Sequence, residues 1–324
     1  MKDAWFAERA KELQEAADKQ DTRRFYELTK EIYGPSNKVS VPILSKDQSS
    51  TITDEDAKLK RWAEHYSDLL NQPSVVDEAT LNNIQQCQTL EELEQLPSQA
   101  EIHRAINNLR NGKSPGEDGL AAEIYKYGGN ALEEQLLDLF LQIWQKETVP
   151  DQLKHAQIVT IYKNEGNKAD CANYRGISLL PVAGKILTKL LQMRINDVMI
   201  ETSVSESQCG FRQSRGTADT IFAARQLQEK CIEQNMDLYV VFIDLKKAFD
   251  SVNRAALWRV IAKKGIPAKI VSILKSLHTG MNGSVKIDGK VTDSFPISTG
   301  VKQGCVIAPI LFILYFDSRN SKLK

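Results

Sequence analysis

Six apolar residues in a row, Leu238-Tyr-Val-Val-Phe-Ile243, run directly into an acid, Asp244. A β-branched and aromatic run of that length predicts a strand over 238–243, buried on both faces. Such a strand needs neighbours in a sheet and cover above and below. The acid then stands where the chain leaves the sheet, held beside a cleft by a rigid element. Two readings of Asp244 stay open on this segment alone. It can be a ligand for Mg²⁺, which takes hard oxygen donors in fixed geometry, or a cap on the turn that follows. Asp250 precedes the helical pattern Ser251-Val-Asn-Arg-Ala-Ala-Leu-Trp-Arg-Val-Ile261, which predicts an N-cap role for it.

The rest of the chain supplies the other layers. Ala156–Tyr162 reads as a second strand. Ser284–Ile287 and Lys290–Phe295 read as a hairpin about Asp288-Gly289, with a second turn signal at Asn282-Gly283. Helical patterns cover about 182–200, 218–234, 252–264 and 268–278. Upstream, Ser98 with Glu101 forms a capping box for a helix that stops near Gly112, and Thr53 with Asp56 a second box for a helix over 54–71. Residues 36–52 read as loop. A helix over about 131–146 carries a core stripe that includes Leu136, Phe140, Ile143 and Trp144. The first 32 residues predict a charged helix ending at Gly34-Pro35. Helices interleaved with strands give an α/β (α+β) fold class.

The charge is balanced at 42 basic and 42 acidic side chains, but it is split. Residues 1–150 carry 17 basic and 27 acidic groups, a net −10, and residues 151–324 carry 25 and 15, a net +10. That asymmetry points to a polyanion meeting the C-terminal half, or to attraction between the halves. The five cysteines are scattered and form no C-x-x-C pair, which excludes a disulfide framework and a zinc finger. The longest apolar run, Val306–Phe316, is eleven residues and contains Pro309, too short to span a bilayer.

Three further segments hold candidate binding groups. Lys163 ends the strand 156–162, and Arg175 follows across a polar loop in Asn173-Tyr-Arg-Gly-Ile-Ser-Leu179. Together they can clamp a triphosphate, or each can be a solvated surface charge. Gly300-Val-Lys-Gln303-Gly304 brackets a glutamine between glycines. Glycine there permits close backbone approach to a ligand, and Gln303 offers donor and acceptor; the alternative is a tight connector. Gly210, Phe211, Arg212 and Arg215 sit in a basic, glycine-punctuated loop suited to a phosphate backbone. Gly112-Lys113-Ser114 is not a phosphate-binding P-loop, because position 107 is Asn and the tripeptide follows a helix.

Taken in order over about residues 98–316, these segments resemble the reverse transcriptases of LINE-type (non-LTR) retrotransposons. The motifs are Gly112-Lys-Ser-Pro-Gly-Glu-Asp-Gly119, the strand to Lys163, Asn173-Tyr-Arg-Gly-Ile-Ser-Leu179, Gly210-Phe-Arg212, Phe242-Ile-Asp-Leu-Lys-Lys-Ala-Phe-Asp250 and Gly300-Val-Lys-Gln-Gly-Cys305. The resemblance implies a right-hand polymerase: a helical connector over 1–95, fingers with an N-terminal extension over 96–235, and part of the palm from 236 to 324. It implies Asp244 as catalytic metal-binding aspartate with the Leu245 carbonyl beside it. Lys163, Arg175, Gln303 and Gly304 would bind nucleotide, and Phe249 would crowd a ribose 2′-OH. Gly210, Phe211, Arg212 and Arg215 would meet nucleic acid. The implied partners are an RNA template, a DNA primer and deoxynucleoside triphosphates, with no membrane. The implied cofactor is a pair of Mg²⁺ ions and the implied location is intracellular, in nucleus or cytoplasm. The family places two more carboxylates on a Tyr-x-Asp-Asp hairpin, and residues 1–324 do not contain that motif. The expectation is an RNA-directed DNA polymerase domain truncated before that motif and catalytically incomplete as it stands. The second reading is a non-catalytic, reverse-transcriptase-derived nucleic-acid-binding protein. Gly176 and Ala308 stand where the family usually has Pro and Ser.

Overall fold

The computed structural model describes residues 2–19, 21–33, 41–73, 76, 78–200, 204–212, 214–245 and 247–320. The chain divides into two compact units, Met1–Pro42 and Ile43–Lys324. The first is a pair of helices, α1 (Lys2–Asp18) and α2 (Thr22–Tyr33). One helix was expected here; Asp21 interrupts it, its carboxylate accepting the Arg24 backbone N–H at 3.0 Å. The expected stop at Gly34-Pro35 lies outside the described residues.

The second unit opens on β1 (Ile43–Leu44) and β2 (Thr51–Ile52), an antiparallel pair where the sequence predicts loop. Next come α3 (Glu55–Leu70), α4 (Glu78–Asn82), α5 (Gln99–Asn107), α6 (Ala122–Tyr127) and α7 (Gly129–Lys146). Asp54, not Thr53, caps α3: its carboxylate accepts the Ala57 N–H at 2.8 Å, a better match to the positive helix end. The Ser98–Glu101 capping box on α5 is present as expected. In α7 the predicted stripe is the buried face, with Phe140 and Trp144 fully enclosed. Each such side chain contributes about 1.5–3 kcal/mol. The Trp144 indole N–H finds the Glu94 carbonyl at 3.0 Å.

The sheet follows. Its strands are β3 (Ala156–Tyr162), β4 (Tyr174–Leu179), β5 (Asn282–Ile287), β6 (Lys290–Val291) and β7 (Phe295–Pro296). Between β4 and β5 come α8 (Val182–Ile195), α9 (Thr217–Glu233), α10 (Arg254–Lys263) and α11 (Ala268–His278), and α12 (Ala308–Asn320) follows β7. The order is β4-β3-β5-β6, with β7 also on β5. β3 is antiparallel to β4, with Ile161 opposite Arg175, and parallel to β5. The hairpin about Asp288-Gly289 forms as expected, but Asn282-Gly283 makes no turn. Gly283 pairs with Ala156 on one side and Phe295 on the other, so β7 rather than β6 carries Phe295.

The largest departure is at 238–243. Those residues form no strand, and the side chains face water, Phe242 with 93 % of its surface exposed. The composition is that of a doubly covered strand, but a strand also needs backbone partners. Among the described residues no strand pairs with this run, and α9 just before it buries no side chain. A second correction concerns Asp250. The cap on α10 is Asn253, which accepts the Ala256 N–H at 2.9 Å, and Asp250 lies in the turn before it. No described helix is long and apolar enough to cross a membrane, and all five cysteines are free.

Candidate active site

Three segments that the sequence singles out are joined by backbone hydrogen bonds. The Ser178 N–H of β4 donates to the Gln303 carbonyl at 2.9 Å. The Val301 N–H donates to the Phe249 carbonyl at 2.9 Å, and the Gly300 N–H to the Val252 carbonyl at 3.0 Å. The β3–β4 hairpin, the glycine-bracketed loop and the Phe249 turn are therefore tied directly to one another.

The glycines explain how. Gly300 has φ +74°, and a Cβ there would come within 2.7–2.9 Å of the Asp250 backbone. Gly304 has φ +115°, and its Cβ would lie 2.5 Å from the Ser178 carbonyl oxygen. Both conformations are costly for residues with a side chain. The close approach expected at this loop is thus made to the chain's own backbone, as in the tight connector.

The hub beneath the loop is Arg254, which the sequence reading did not single out. Its guanidinium donates to the carbonyls of Gly300 (2.9 Å), His278 (2.6 Å), Ile297 (3.0 Å) and Thr299 (3.1 Å). Burial pulls its pKa down to about 10, so the group stays charged. An arginine on an amphipathic helix gives no sequence signal that distinguishes this role from a surface charge.

A cleft opens beside this hub, and Asp250, Gln303, Ser178, Thr299 and Tyr66 are among its lining residues. Tyr66 comes from α3, is 2 % exposed, and stacks on Trp62, which meets Tyr174 edge-on. The Tyr66 hydroxyl and Thr299 Oγ1 are buried without a hydrogen-bond partner. Burial drives the Asp250 carboxyl up to about 6, against the opposing charges of Lys247 and Lys163. A raised carboxylate pKa means the native state holds its proton longer than the unfolded chain does. Below the ordinary value both states are protonated and nothing is lost. As pH rises from there through about 6, native stability falls by on the order of 2 kcal/mol, and it stays constant above. Asp250→Asn is expected to flatten this slope and to stabilise the protein at neutral pH. Urea midpoints on either side of the window check it; an unchanged slope in the variant refutes it.

The other predicted residues are not all gathered here. Phe249 is half-buried between Phe211 (5.9 Å, edge-on) and Phe312 (4.8 Å). Lys163 is exposed, its Nζ donating to the Ala172 carbonyl at 2.9 Å. Arg175 is exposed on β4. Arg212 is buried, donating to the Ser205 carbonyl at 3.1 Å, and Arg215 pairs with Glu206 at 2.8 Å, so the basic loop is braced on itself. Gly210 is exposed in the same loop. Asp244 and Leu245 are exposed and line none of this cleft. Among the described residues no group of three or more His, Cys, Asp or Glu side chains is placed to hold a metal ion. These residues do not by themselves fit a Mg²⁺ pair, and no chemical step is derived through one.

A family profile described as "Reverse transcriptase (RNA-dependent DNA polymerase)" matches residues 162–324. The chain belongs to the reverse transcriptase family. Among similar proteins, the RNA-directed DNA polymerase from mobile element jockey of Drosophila melanogaster is 28 % identical over 66 % of this chain and 24 % of its own length. The Transposon TX1 uncharacterized 149 kDa protein of Xenopus laevis is 24 % identical over 91 % of this chain and 23 % of its own. The putative 115 kDa protein in type-1 retrotransposable element R1DM of D. melanogaster is 28 % identical over 69 % and 21 %. The chain thus spans about a quarter of the curated relatives it matches. Among solved structures, a partial Cas6-RT-Cas1–Cas2 complex aligns with TM-score 0.37 at 15 % identity, over 78 % of this chain and 38 % of that one. The expected resemblance to non-LTR retrotransposon reverse transcriptases is borne out, as is the mixed α/β fold class. Reverse transcriptases generally use Mg²⁺, and the family's reaction takes a nucleic-acid template and deoxynucleoside triphosphates.

Proposed function

We propose that this reverse transcriptase domain supplies the fingers and the beginning of the palm of an RNA-directed DNA polymerase, acting on an RNA template and a DNA primer. The observation that carries the reading is the backbone relay from Ser178 through Gln303 and Val301 to Phe249. It fixes the β3–β4 hairpin, which leads from Lys163 to Arg175, against the loop that would lie under a nucleotide and the ring that would face its sugar. In this reading residues 1–95 are the connector, 96–235 the fingers and 236–324 the palm portion. Lys163 and Arg175 bind the triphosphate, and Phe249 excludes a 2′-OH by contact. Gln303 and Gly304 seat the base pair, and Gly210, Phe211, Arg212 and Arg215 flank the nucleic acid. Asp244 with the Leu245 carbonyl is this domain's contribution to the Mg²⁺ site.

Triphosphate binding tests the reading. Hydrogen bonds to charged groups are worth about 1.5–3 kcal/mol, so Lys163→Ala and Arg175→Ala should each weaken dTTP binding by about tenfold or more. Equal calorimetric affinities in wild type and variants would refute the assignment. The polypeptide of residues 1–324, assayed by itself with primer, template, dNTPs and Mg²⁺, is expected to give no extension, because among the described residues no group of three or more His, Cys, Asp or Glu side chains is placed to hold a metal ion. Robust extension that Asp244→Asn abolishes would overturn that expectation. The second reading, a non-catalytic nucleic-acid-binding protein, is favoured by the exposed Asp244 and the lack of a metal-holding group of three among the described residues. It predicts RNA binding whose log K falls by about 0.7–0.9 per phosphate contact per log unit of salt, untouched by Asp244→Asn.

A further inference from the structure

A second cavity lies between the Asn108–Ser114 loop and the first turns of α8. Four cations line it: Arg110 and Lys113 from the loop, Lys185 and Lys189 from the helix. Part of its wall is apolar, with Val182 and Val306. Lys185 and Lys189 are four residues apart, so they share a helix face, where like charges repel. Both are partly buried, and burial lowers the pKa of each; the charge of Asp118 opposes this at Lys185, and that of Arg104 adds to it at Lys189. Lys189 donates to the Gln192 side chain at 2.9 Å. Among the described residues Arg110, Lys113 and Lys185 have neither hydrogen bond nor ion pair from their side chains.

Gathering four like charges around one concave space costs free energy in the empty protein. That cost is recovered when an anion enters, since cations approach it from two elements beside an apolar wall. Gly112-Lys113-Ser114, rejected as a P-loop, thus becomes the rim of a different kind of site. We propose that this cavity binds the phosphate of a nucleotide unit, with the sugar or base against Val182 and Val306. Two sources share that chemistry: a phosphodiester within a single strand, or a free nucleoside monophosphate. Naming a strand as the source rests on the polymerase reading above; the anion site itself does not.

The test uses the full chain and three probes: a short labelled single-stranded RNA, AMP and inorganic phosphate. The variants are Lys113→Gln and Lys185→Met, the second keeping the buried stem. For a strand, each variant should lower RNA affinity about tenfold at low salt and reduce the salt slope by about one. A loss confined to AMP, or to AMP and phosphate, assigns the site to free nucleotides and leaves it standing while the strand source fails. Wild-type RNA binding that neither variant changes, in affinity or slope, together with unchanged AMP binding, overturns the site and spares the polymerase reading. Amine-acetylation footprinting of wild type needs no variant to fold. Protection of Lys113 and Lys185 by RNA or AMP supports the site, and equal labelling with and without every probe overturns it.

Discussion

Arg254→Met should cost about 3–5 kcal/mol of folding stability, a large part of the total for a unit of this size. The charged group donates to four carbonyls from three places in the chain: the end of α11, the segment after β7 and the glycine-bracketed loop. Methionine keeps much of the volume and removes every donor. Buried acceptors left without partners each cost about 1–3 kcal/mol, and water reaches this site poorly, because Arg254 is already largely desolvated. Lysine should rescue only part of the loss, since an ammonium lacks the planar fork that reaches carbonyls on several sides. Urea unfolding followed by tryptophan fluorescence reads the shift. A methionine variant within 1 kcal/mol of wild type, on the order of a surface substitution, would show that the carbonyls find other donors and that Arg254 is no hub.

Gly304→Val should be nearly as damaging and more specific in its effect. Its φ of +115° is a region that a β-branched residue scarcely enters, and the new Cβ would press on the Ser178 carbonyl at 2.5 Å. The backbone cost is about 1–3 kcal/mol before the clash is counted. Relief requires the loop to lift from β4, which breaks the Ser178–Gln303 hydrogen bond and frees the β3–β4 hairpin from the Phe249 turn. The expected result is a lower melting temperature together with loss of dTTP binding. Ser178→Ala, which keeps the backbone N–H, should leave both nearly unchanged. Intact dTTP affinity in a folded Gly304→Val protein would separate the hairpin from the loop and undo the relay argument.

What the sequence disclosed depended on whether the deciding interactions were local. β3 and α11 fall on the predicted residues because alternation, helical period and flanking Pro267 fix them within a few positions. The Ser98–Glu101 box is local in the same sense. The run 238–243 was legible as composition and not as structure, because strand formation depends on a partner distant in sequence. Arg254 and Tyr66 carry no sequence signal for a related reason. Their importance lies in groups from 24 to well over 100 residues away, such as the His278 carbonyl and Gly176, and no spacing rule connects those positions. At the glycines of 300 and 304 the sequence leaves open a close approach to a ligand or a tight connector, and the structure shows close approach to the chain's own backbone.

The contact between α3 and β4 sets a rule for how this sequence can vary. A Cβ at position 176 would fall 2.5 Å from Cε1 of Tyr66, so the ring at 66 occupies the volume that any larger residue at 176 would claim. A larger residue at position 176 of this chain would therefore require a smaller side chain opposite it, or an outward shift of the helix. Enlarging position 176 alone should disturb the packing of Tyr66, and with it the seat of the helix on the sheet.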